Sequence, residues 1–257
     1  MLEFCTTSRE GHLLVVTMNR PEVMNSLHPP ANFELEKVFD DFVADPELWV
    51  AIITGAGERA FSAGNDLKFT AKTGGKLDIN KKGFAGITSR FDNPKPLIAA
   101  VNGVAMGGGF EIALACDLII ASENAVFALP EPRVGLAALA GGMHRLPRAI
   151  PLKHAMGMLL TGRRVSAREG MALGFVNEVV APAELMNAAK RWAGQILECA
   201  PLSVRASKQS AYDGLDRPLE DAMAARYDEV IRMVKSEDFI EGPRAFAEKR
   251  PPSWKAR

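Results

Sequence analysis

Two glutamates lie in apolar segments marked by glycine or proline, where a lone carboxylate has little structural purpose. Glu111 follows three glycines in the run VNGVAMGGGFEIALACD, and Glu131 lies between two prolines in AVFALPEPRVG. Burying an ionised carboxylate is costly unless it is paired or hydrogen-bonded, so such groups are candidates for acid and base catalysis. Two of them can share the proton transfers of one reaction and act on a single water. The sequence therefore predicts a pair of catalytic carboxylates, Glu111 and Glu131.

Each glutamate also has a structural explanation. Glu111 is expected in the first turn of a helix, where acidic side chains commonly cap the helix or interact with its dipole. Glu131 can be a turn residue in a surface loop, although Pro130 and Pro132 predict a stiff, extended backbone that fixes the direction of its carboxylate. The pair favours catalysis more strongly than either glutamate alone.

Two glycine-containing turns are candidates for presenting backbone amides to a ligand. Residues 107–109 directly precede a predicted helix, and a helix N-terminus carries unpaired N–H groups and partial positive charge. Glycines there let a ligand approach the backbone, although tight packing of helix against strand would also require a glycine. The turn at 62–64, within the segment 61–68, can also expose an N–H, but such turns are common connectors.

Apolar runs and helical periodicity predict alternating strands and helices in the first 120 residues. Continuous apolar or β-branched runs indicate buried strands, and recurring apolar residues at helical spacing indicate amphipathic helices. We expect strands at 13–18, 50–54, 96–101 and 117–121, and helices at 33–43 and 107–116. Strands that alternate with helices imply an α/β layered core. The lysine- and glycine-rich stretch 68–82 is predicted to be a surface loop.

The C-terminal part of the chain has a different pattern. From about residue 152 helical periodicity dominates, with helices predicted at 155–160, 183–197 and 222–234 and no convincing strand beyond 179–180. Such a region can serve oligomerisation, and covering the chain's own core explains it equally well. We divide the chain into a core at 1–195 and a helical C-terminal region at 196–257.

The composition argues against several classes of function. Lysine plus arginine and aspartate plus glutamate both number 31, and only 7% of residues are aromatic, which disfavours a nucleic-acid-binding surface. The four histidines lack ligand-like spacing and predict no metal site. Three scattered cysteines, no signal-peptide pattern and no apolar run of ~18 residues predict a cytoplasmic protein without a membrane span.

Together these segments resemble the crotonase superfamily of enoyl-CoA hydratases and isomerases. The resemblance rests on residues 98–117, 61–68 and 129–131, and extends over nearly the whole chain. The run EGPRAFAEKR at 241–250 is similar to the hydratase branch, and to carnitinyl-CoA dehydratase in particular.

The resemblance implies a spiral of repeated ββα units, with a helical C-terminal region that builds trimers and, by stacking, hexamers. It implies an acyl-CoA thioester substrate, with coenzyme A as part of the substrate and no separate cofactor. The amides of Asn65 and Gly108 would bind the thioester oxygen, and Glu111 and Glu131 would be the catalytic carboxylates. Contacts to the substrate or its coenzyme A would come from Ala63, Asn65, Asp66, Leu67, Lys68 and Gly108.

Enoyl-CoA hydration is the function that the resemblance favours, because both glutamates are present. Glu111 would activate the water that attacks C3, and Glu131 would protonate C2. The alternatives are carnitinyl-CoA dehydration, double-bond isomerisation or thioester hydrolysis at the same amides, and RNA binding, which the zero net charge disfavours. Lys68 would meet a nucleotide phosphate or, equally well, be a solvated loop lysine.

One position departs from the pattern of the family. Leu139 stands where carnitinyl-CoA dehydratase-like members usually have an acid, and Ala138 stands where typical hydratases have a proline. An apolar Leu139 offers nothing to a trimethylammonium group. The departure predicts a more hydrophobic acyl pocket.

Overall fold

Two β-sheets form the framework of the computed structural model, which describes residues 2–74 and 80–257. The larger sheet has, in spatial order, β1 (Cys5–Glu10), β2 (Leu13–Met18), β3 (Val50–Gly55), β5 (Leu97–Val101), β7 (Leu118–Ser122) and β10 (Glu178–Val180). The smaller sheet has β4 (Ala60–Ser62), β6 (Val104–Met106), β8 (Val126–Ala128) and β9 (Val165–Ser166). β1 is antiparallel to β2, β9 is antiparallel to β8, and all other neighbours are parallel.

A strand of the larger sheet leads into a strand of the smaller sheet three times in succession. β3 precedes β4, β5 precedes β6 and β7 precedes β8, and a helical segment follows each pair. These segments are α2 (Leu67–Lys72), α3 (Gly108–Ala115), and a 3-10 helix (Glu131–Val134) followed by α4 (Gly142–Ala149). Because both sheets pair these strands in parallel and in the same order, the chain advances by one strand in each sheet per unit. The expected spiral of ββα units is confirmed.

Both faces of the larger sheet are covered. Ile53, Ala99 and Ile119 pack in a core with α1 (Pro29–Ala44) and α3, while Ile52 and Ile98 point to the opposite face, which α7 (Leu185–Leu197) covers. Parallel strands buried on both faces consist of continuous apolar residues rather than an alternating pattern. This explains why the four strands predicted between residues 13 and 121 are found within a residue or two of their expected bounds.

The remaining helices are mostly C-terminal. They are α5 (Leu152–Thr161), α6 (Ala167–Leu173), α8 (Pro201–Gly214), α9 (Leu219–Ala224), α10 (Asp228–Val234) and α11 (Glu237–Glu248), with further 3-10 helices at Pro21–Val23, Phe84–Gly86 and Pro182–Glu184. The single helix predicted at 222–234 is wrong, because Ala225 has an extended backbone (ψ 151°) that separates α9 from α10. The division of the chain at residue 195 stays a prediction.

The loop predicted at 68–82 is wrong at its start. Residues Leu67–Lys72 form α2, because the side chain of Asp66 accepts a hydrogen bond from the N–H of Phe69 and caps the helix. Residues 75–79 of that prediction lie outside the described part of the chain. In the described part, no helix is both long and apolar enough to cross a membrane.

Candidate active site

Three of the predicted site residues follow the ends of three neighbouring strands. Asn65, Gly108 and Glu131 come within three residues after β4, β6 and β8. These strands are parallel, so their carboxyl ends meet at one edge of the smaller sheet, where α/β proteins commonly bind ligands. The spiral therefore brings together residues that are far apart in the sequence.

Close packing of glycines joins the turn after β4 to the start of α3. Gly64 has a φ of +85°, and a methyl group on it would lie 2.8 Å from the amide nitrogen of Gly108. A methyl group on Gly109 would lie 2.0 Å from the carbonyl oxygen of Ser62. Only glycine combines the left-handed backbone at residue 64 with such close packing of the two segments. Tight packing and an accessible amide are thus both reasons for glycine here.

The amides of Asn65 and Gly108 remain available as donors. Gly108 is the first residue of α3, so its N–H has no acceptor within the helix. Beside Asn65, the N–H of Gly64 donates to Oγ of Ser62 and that of Asp66 to the carbonyl of Leu27. Within residues 2–74 and 80–257, neither the Asn65 nor the Gly108 amide donates a hydrogen bond to another residue. Each of the two N–H groups can therefore donate a hydrogen bond to a ligand.

Glu111 is buried on α3 and is held by a second helix N-terminus. Its side chain is 3% exposed, and its Oε1 accepts a 2.8 Å hydrogen bond from the N–H of Gly142, the first residue of α4. Burial raises the pKa of Glu111, the charge of Glu131 raises it further, and the N–H groups of Gly142 and Ala140 oppose the rise. The resulting pKa is about 7, so the group can gain or lose a proton near neutrality.

Glu131 begins the 3-10 helix that follows β8. The extended backbone predicted between the two prolines is wrong, because Pro130 (φ −84°, ψ 6°) turns the chain into this helix. The side chain points back toward α3, since a methyl group on Gly107 would lie 3.0 Å from Oε1 of Glu131. Its Oε2 is buried without a hydrogen-bond partner among the described residues, and burial raises the pKa of the carboxyl. An unpaired buried oxygen of this kind is suited to carry a proton or to bind a ligand.

The two carboxyl groups are close enough for the charge of Glu131 to raise the pKa of Glu111, but their surroundings differ. Two backbone N–H groups, of Gly142 and Ala140, favour the ionised form of Glu111. Only its own N–H does so for Glu131, whose Oε2 has no partner among the described residues. Environments that separate the protonation of two neighbouring carboxyls allow one to act as a base and the other as an acid. With two free amides nearby, the arrangement suits a reaction in which charge develops on an oxygen while protons move.

The segment 61–68 contains an ion pair that supports the turn at Asn65, and two exposed residues. Asp66 accepts hydrogen bonds from both terminal nitrogens of Arg20, at 3.1 and 3.2 Å, and this pair fixes the turn that carries Asn65. Burial raises the pKa of Asp66, but the Phe69 N–H and Arg20 outweigh it, so the pKa is lowered. The other residues predicted to contact the substrate have different surroundings. The N–H of Ala63 donates to the carbonyl oxygen of Met24, whereas Leu67 and Lys68 are exposed on α2.

Comparison with known proteins identifies the family. The family model for enoyl-CoA hydratase/isomerase matches residues 8–257. The chain belongs to this family. It is therefore an enzyme of the crotonase superfamily, whose members bind acyl-CoA, as the sequence resemblance implied.

Relatives and solved structures agree over the full length. Carnitinyl-CoA dehydratases of Escherichia coli K12 and Shigella flexneri are each 45% identical to this chain over 262 residues, covering 100% of both proteins. The enoyl-CoA hydratase of Mycobacterium tuberculosis H37Rv has a TM-score of 0.93 at 36% identity, with 99% of each chain covered. That of Bacillus anthracis has a TM-score of 0.90 at 33% identity, covering 99% of this chain and 100% of the other.

Sequence reasoning missed the groups that hold Glu111 in this crotonase fold. Gly142, Ala140 and Arg145 all lie around the carboxylate, and the only local signal was the Gly141–Gly142 pair ahead of a short helix. The described residues contain no cluster of three or more His, Cys, Asp and Glu side chains that could hold a metal.

Leu139 directly precedes Ala140 in the chain and lies beside a cavity. It is 66% exposed and lines a cavity of about 880 Å³ together with Leu114 and Cys116, at the end of α3 away from Gly108. Neither glutamate lines this cavity. The structure thus places Leu139 on the partly apolar wall of this cavity.

Proposed function

We propose that the protein is an enoyl-CoA hydratase, which reversibly adds water to a 2-enoyl-CoA thioester and forms a 3-hydroxyacyl-CoA. One observation carries the proposal: the buried carboxyl of Glu111 and the half-buried carboxyl of Glu131 interact electrostatically near two backbone amides that have no acceptor among the described residues. Coenzyme A is part of the substrate, and the proposed reaction uses no separate cofactor.

The amides of Asn65 and Gly108 would bind the thioester oxygen. Attack of water at C3 moves the electrons of the C2–C3 double bond toward that oxygen, where negative charge develops. Two fixed N–H donors stabilise this charge, and removal of one such donor in other enzymes costs roughly 3–4 kcal/mol. At the start of α3, the partial positive charge of the helix N-terminus adds to the effect.

Glu111 would be the base and Glu131 the acid. The carboxylate of Glu111 takes a proton from water as the C3–O bond forms, and the carboxyl of Glu131 gives its proton to C2 as the enolate collapses. When Glu131 is protonated, its charge no longer raises the pKa of Glu111, and the Gly142 and Ala140 N–H groups favour the ionised base. Return of one proton from Glu111 to Glu131 resets the pair, so one water is added per turnover.

The segment after Asn65 would bind the coenzyme A portion. In this proposal Ala63, Asp66 and Leu67 contact the substrate next to Asn65, and the exposed Lys68 meets a phosphate with its ammonium group. Replacing Lys68 by methionine should raise KM for the CoA thioester several-fold while leaving kcat unchanged. An unchanged KM would mean that Lys68 is a solvated surface lysine.

Carnitinyl-CoA dehydration is the second candidate, because the relatives that carry this name are 45% identical over their full length. The two reactions use the same carboxyls and differ in the acyl group. Leu139 stands where dehydratase-like members usually have an acid, and its apolar side chain offers no charge to a trimethylammonium group. Turnover of crotonyl-CoA, a longer 2-enoyl-CoA and crotonobetainyl-CoA distinguishes them, and a clear preference for the last would favour dehydration of carnitinyl-CoA.

Hydration itself is tested by identifying the product formed from crotonyl-CoA. Chromatography should show 3-hydroxybutyryl-CoA, with loss of the conjugated thioester absorbance. Conversion of a 3-enoyl-CoA to the 2-enoyl isomer without hydration would assign isomerase activity instead, and release of free CoA would assign hydrolysis.

We also propose that the chain assembles into a homotrimer, or a hexamer of two trimers, through its C-terminal helices. These helices leave large apolar side chains in water, notably Leu219, Met223 and Phe246, which are 76%, 79% and 88% exposed. Apolar patches of this kind commonly mark protein interfaces. Sedimentation equilibrium should give three or six chains, and a monomer at micromolar concentration would contradict the proposal.

A further inference from the structure

Arg145 is a partly buried cation next to the site. It lies in the first turn of α4, and its NH2 donates a 2.9 Å hydrogen bond to the carbonyl oxygen of Thr88. Its guanidinium carbon is 5.8 Å from the ring centre of Phe91. Burial lowers the pKa of Arg145, but a guanidinium remains charged at any relevant pH. In the described chain Arg145 forms no ion pair with a carboxylate at hydrogen-bond distance.

One side of the guanidinium supports the turn that holds Glu111. Gly141 has a φ of +108°, and a methyl group on it would lie 2.1 Å from NH1 of Arg145. The guanidinium therefore rests against the α-carbon of Gly141. The next residue, Gly142, donates its N–H to Glu111. Movement of Arg145 would thus release the backbone that fixes the carboxylate.

The other side of the guanidinium supports the segment that packs on the oxyanion amide. Thr88, which accepts the hydrogen bond from Arg145 through its carbonyl, also accepts one from the N–H of Phe84 through Oγ1, at 2.8 Å. The ring of Phe84 lies against Gly108, since a methyl group there would be 2.7 Å from Cε1 of the ring. Arg145 is thus linked through Thr88 to Gly108.

Arg145 also acts on Glu111 through its charge. The charged groups that face Glu111 are Glu131, which raises its pKa, and Arg145, which lowers it. The groups facing Arg145 are Glu111, Tyr212 and Cys116. Within this set Arg145 is the cation that favours the ionised form of Glu111.

We propose that Arg145 is a positioning residue, which joins the turn that binds Glu111 to the segment that packs on Gly108. The inference rests on the proposed function for the role of Glu111 as a base. The contacts themselves do not depend on which reaction the site catalyses.

Arg145→Met and Arg145→Lys test the proposal, with Arg148→Met as the matched control. Arg148 lies one turn later on α4 and is exposed. Among the described residues it bonds only to the carbonyl of His144 and to Asp216. The first readout is the titration of the Glu111 carboxyl by infrared difference spectroscopy, with its band assigned by its loss in Glu111→Gln. The second is the dependence of kcat and KM for crotonyl-CoA on pH.

In Arg145→Met the Glu111 band should titrate at a higher pH than in the wild type, because a charge that favours the carboxylate is removed. The kcat should fall ~10-fold or more while KM changes little, because the base and the oxyanion amide are misplaced together. Arg145→Lys should restore the titration but only part of kcat, since an ammonium cannot reproduce the guanidinium geometry. Arg148→Met should match the wild type.

Titration of Glu111 at the wild-type pH in a folded Arg145→Met protein would overturn the inference. If Arg145→Met does not fold, the comparison of Arg145→Lys with the wild type decides: equal kcat would overturn it. A wild type that does not hydrate crotonyl-CoA would instead reject the proposed function, and the infrared titration would still test the role of Arg145.

Discussion

The N–H of Gly142 donates a 2.8 Å hydrogen bond to Oε1 of Glu111, so the N-terminus of one helix holds a carboxyl group carried by another. The partial positive charge of α4 and the Ala140 N–H favour the carboxylate, while burial favours the neutral acid. The balance sets the pKa at about 7. Glu111 can therefore gain or lose a proton readily near neutral pH.

The raised pKa of Glu111 predicts that this residue destabilises the protein as the pH rises. Between the ordinary value of 4.5 and about 7 the folded protein binds more protons than the unfolded chain, so stability falls with pH across this window. Glu111→Gln removes the titration and should be more stable than the wild type near pH 8 by up to ~3 kcal/mol.

Urea denaturation near pH 5 and pH 8 measures this effect. The gain from Glu111→Gln should be small at the lower pH, and the exposed control Glu22→Gln should unfold within about 0.5 kcal/mol of the wild type at both pH values. A constant difference between Glu111→Gln and the wild type at both pH values would contradict the assigned pKa.

Removing the charge of Glu131 should shift the titration of Glu111 to lower pH. Like charges that face each other raise each other's pKa, and Glu131 raises that of Glu111. Infrared titration of the Glu111 carboxyl in Glu131→Gln should therefore give a lower pKa than in the wild type. An unchanged value would mean that the two carboxyls do not interact.

Gly64→Ala should disrupt the proposed oxyanion site. The added methyl group would lie 2.8 Å from the Gly108 nitrogen and 2.7 Å from the Met106 carbonyl oxygen, so the two amides must move apart. The kcat for crotonyl-CoA should fall by ~10²–10³-fold, as for loss of an oxyanion donor.

Gly11→Ala is the control for backbone strain. Gly11 is exposed and has a φ of +58°, with no other atom within 4 Å of an added methyl group. This change should cost about 1 kcal/mol of stability and leave kcat intact. Equal kcat values for the two variants would argue against a role for the Gly64 turn in catalysis.

Leu139→Asp should shift the acyl preference toward a cationic group. Leu139 is largely exposed, so the change should leave the thermal stability near that of the wild type. The ratio of kcat/KM for crotonobetainyl-CoA to that for crotonyl-CoA should rise by ~10-fold, because a carboxylate can pair with trimethylammonium. Leu139→Asn is the control, because asparagine has the shape of aspartate but no charge. A similar shift in that variant would show that charge is not the cause.

Local patterns predicted the parts of the fold that depend on local burial. Residues 13–18 and 97–101 are continuous apolar runs because both faces of the larger sheet are covered, and such runs are visible without knowledge of neighbours. The three-residue strands β4, β6 and β8 were not predicted separately, because pairing with neighbouring strands, rather than their own sequence, defines them.

The candidate site was predictable only in part for the same reason. Gly108 and Glu111 lie in the first turn of a helix that the sequence predicts. Glu131 is marked by the prolines on either side, although it begins a 3-10 helix rather than an extended segment. The contacts of Arg145 with Gly141 and Thr88 join segments distant in sequence. No spacing rule connects such positions, so only the folded chain reveals them.

Loss of the conjugated enoyl thioester absorbance of crotonyl-CoA, followed in the wild type, Glu111→Gln and Glu131→Gln, tests the central claim most directly. Rapid loss in the wild type and a fall of ~10²–10⁴-fold in each variant is the predicted result, because each carboxyl transfers a proton in the reaction. Hydration that persists at the wild-type rate in either folded variant would contradict the paired-carboxylate account.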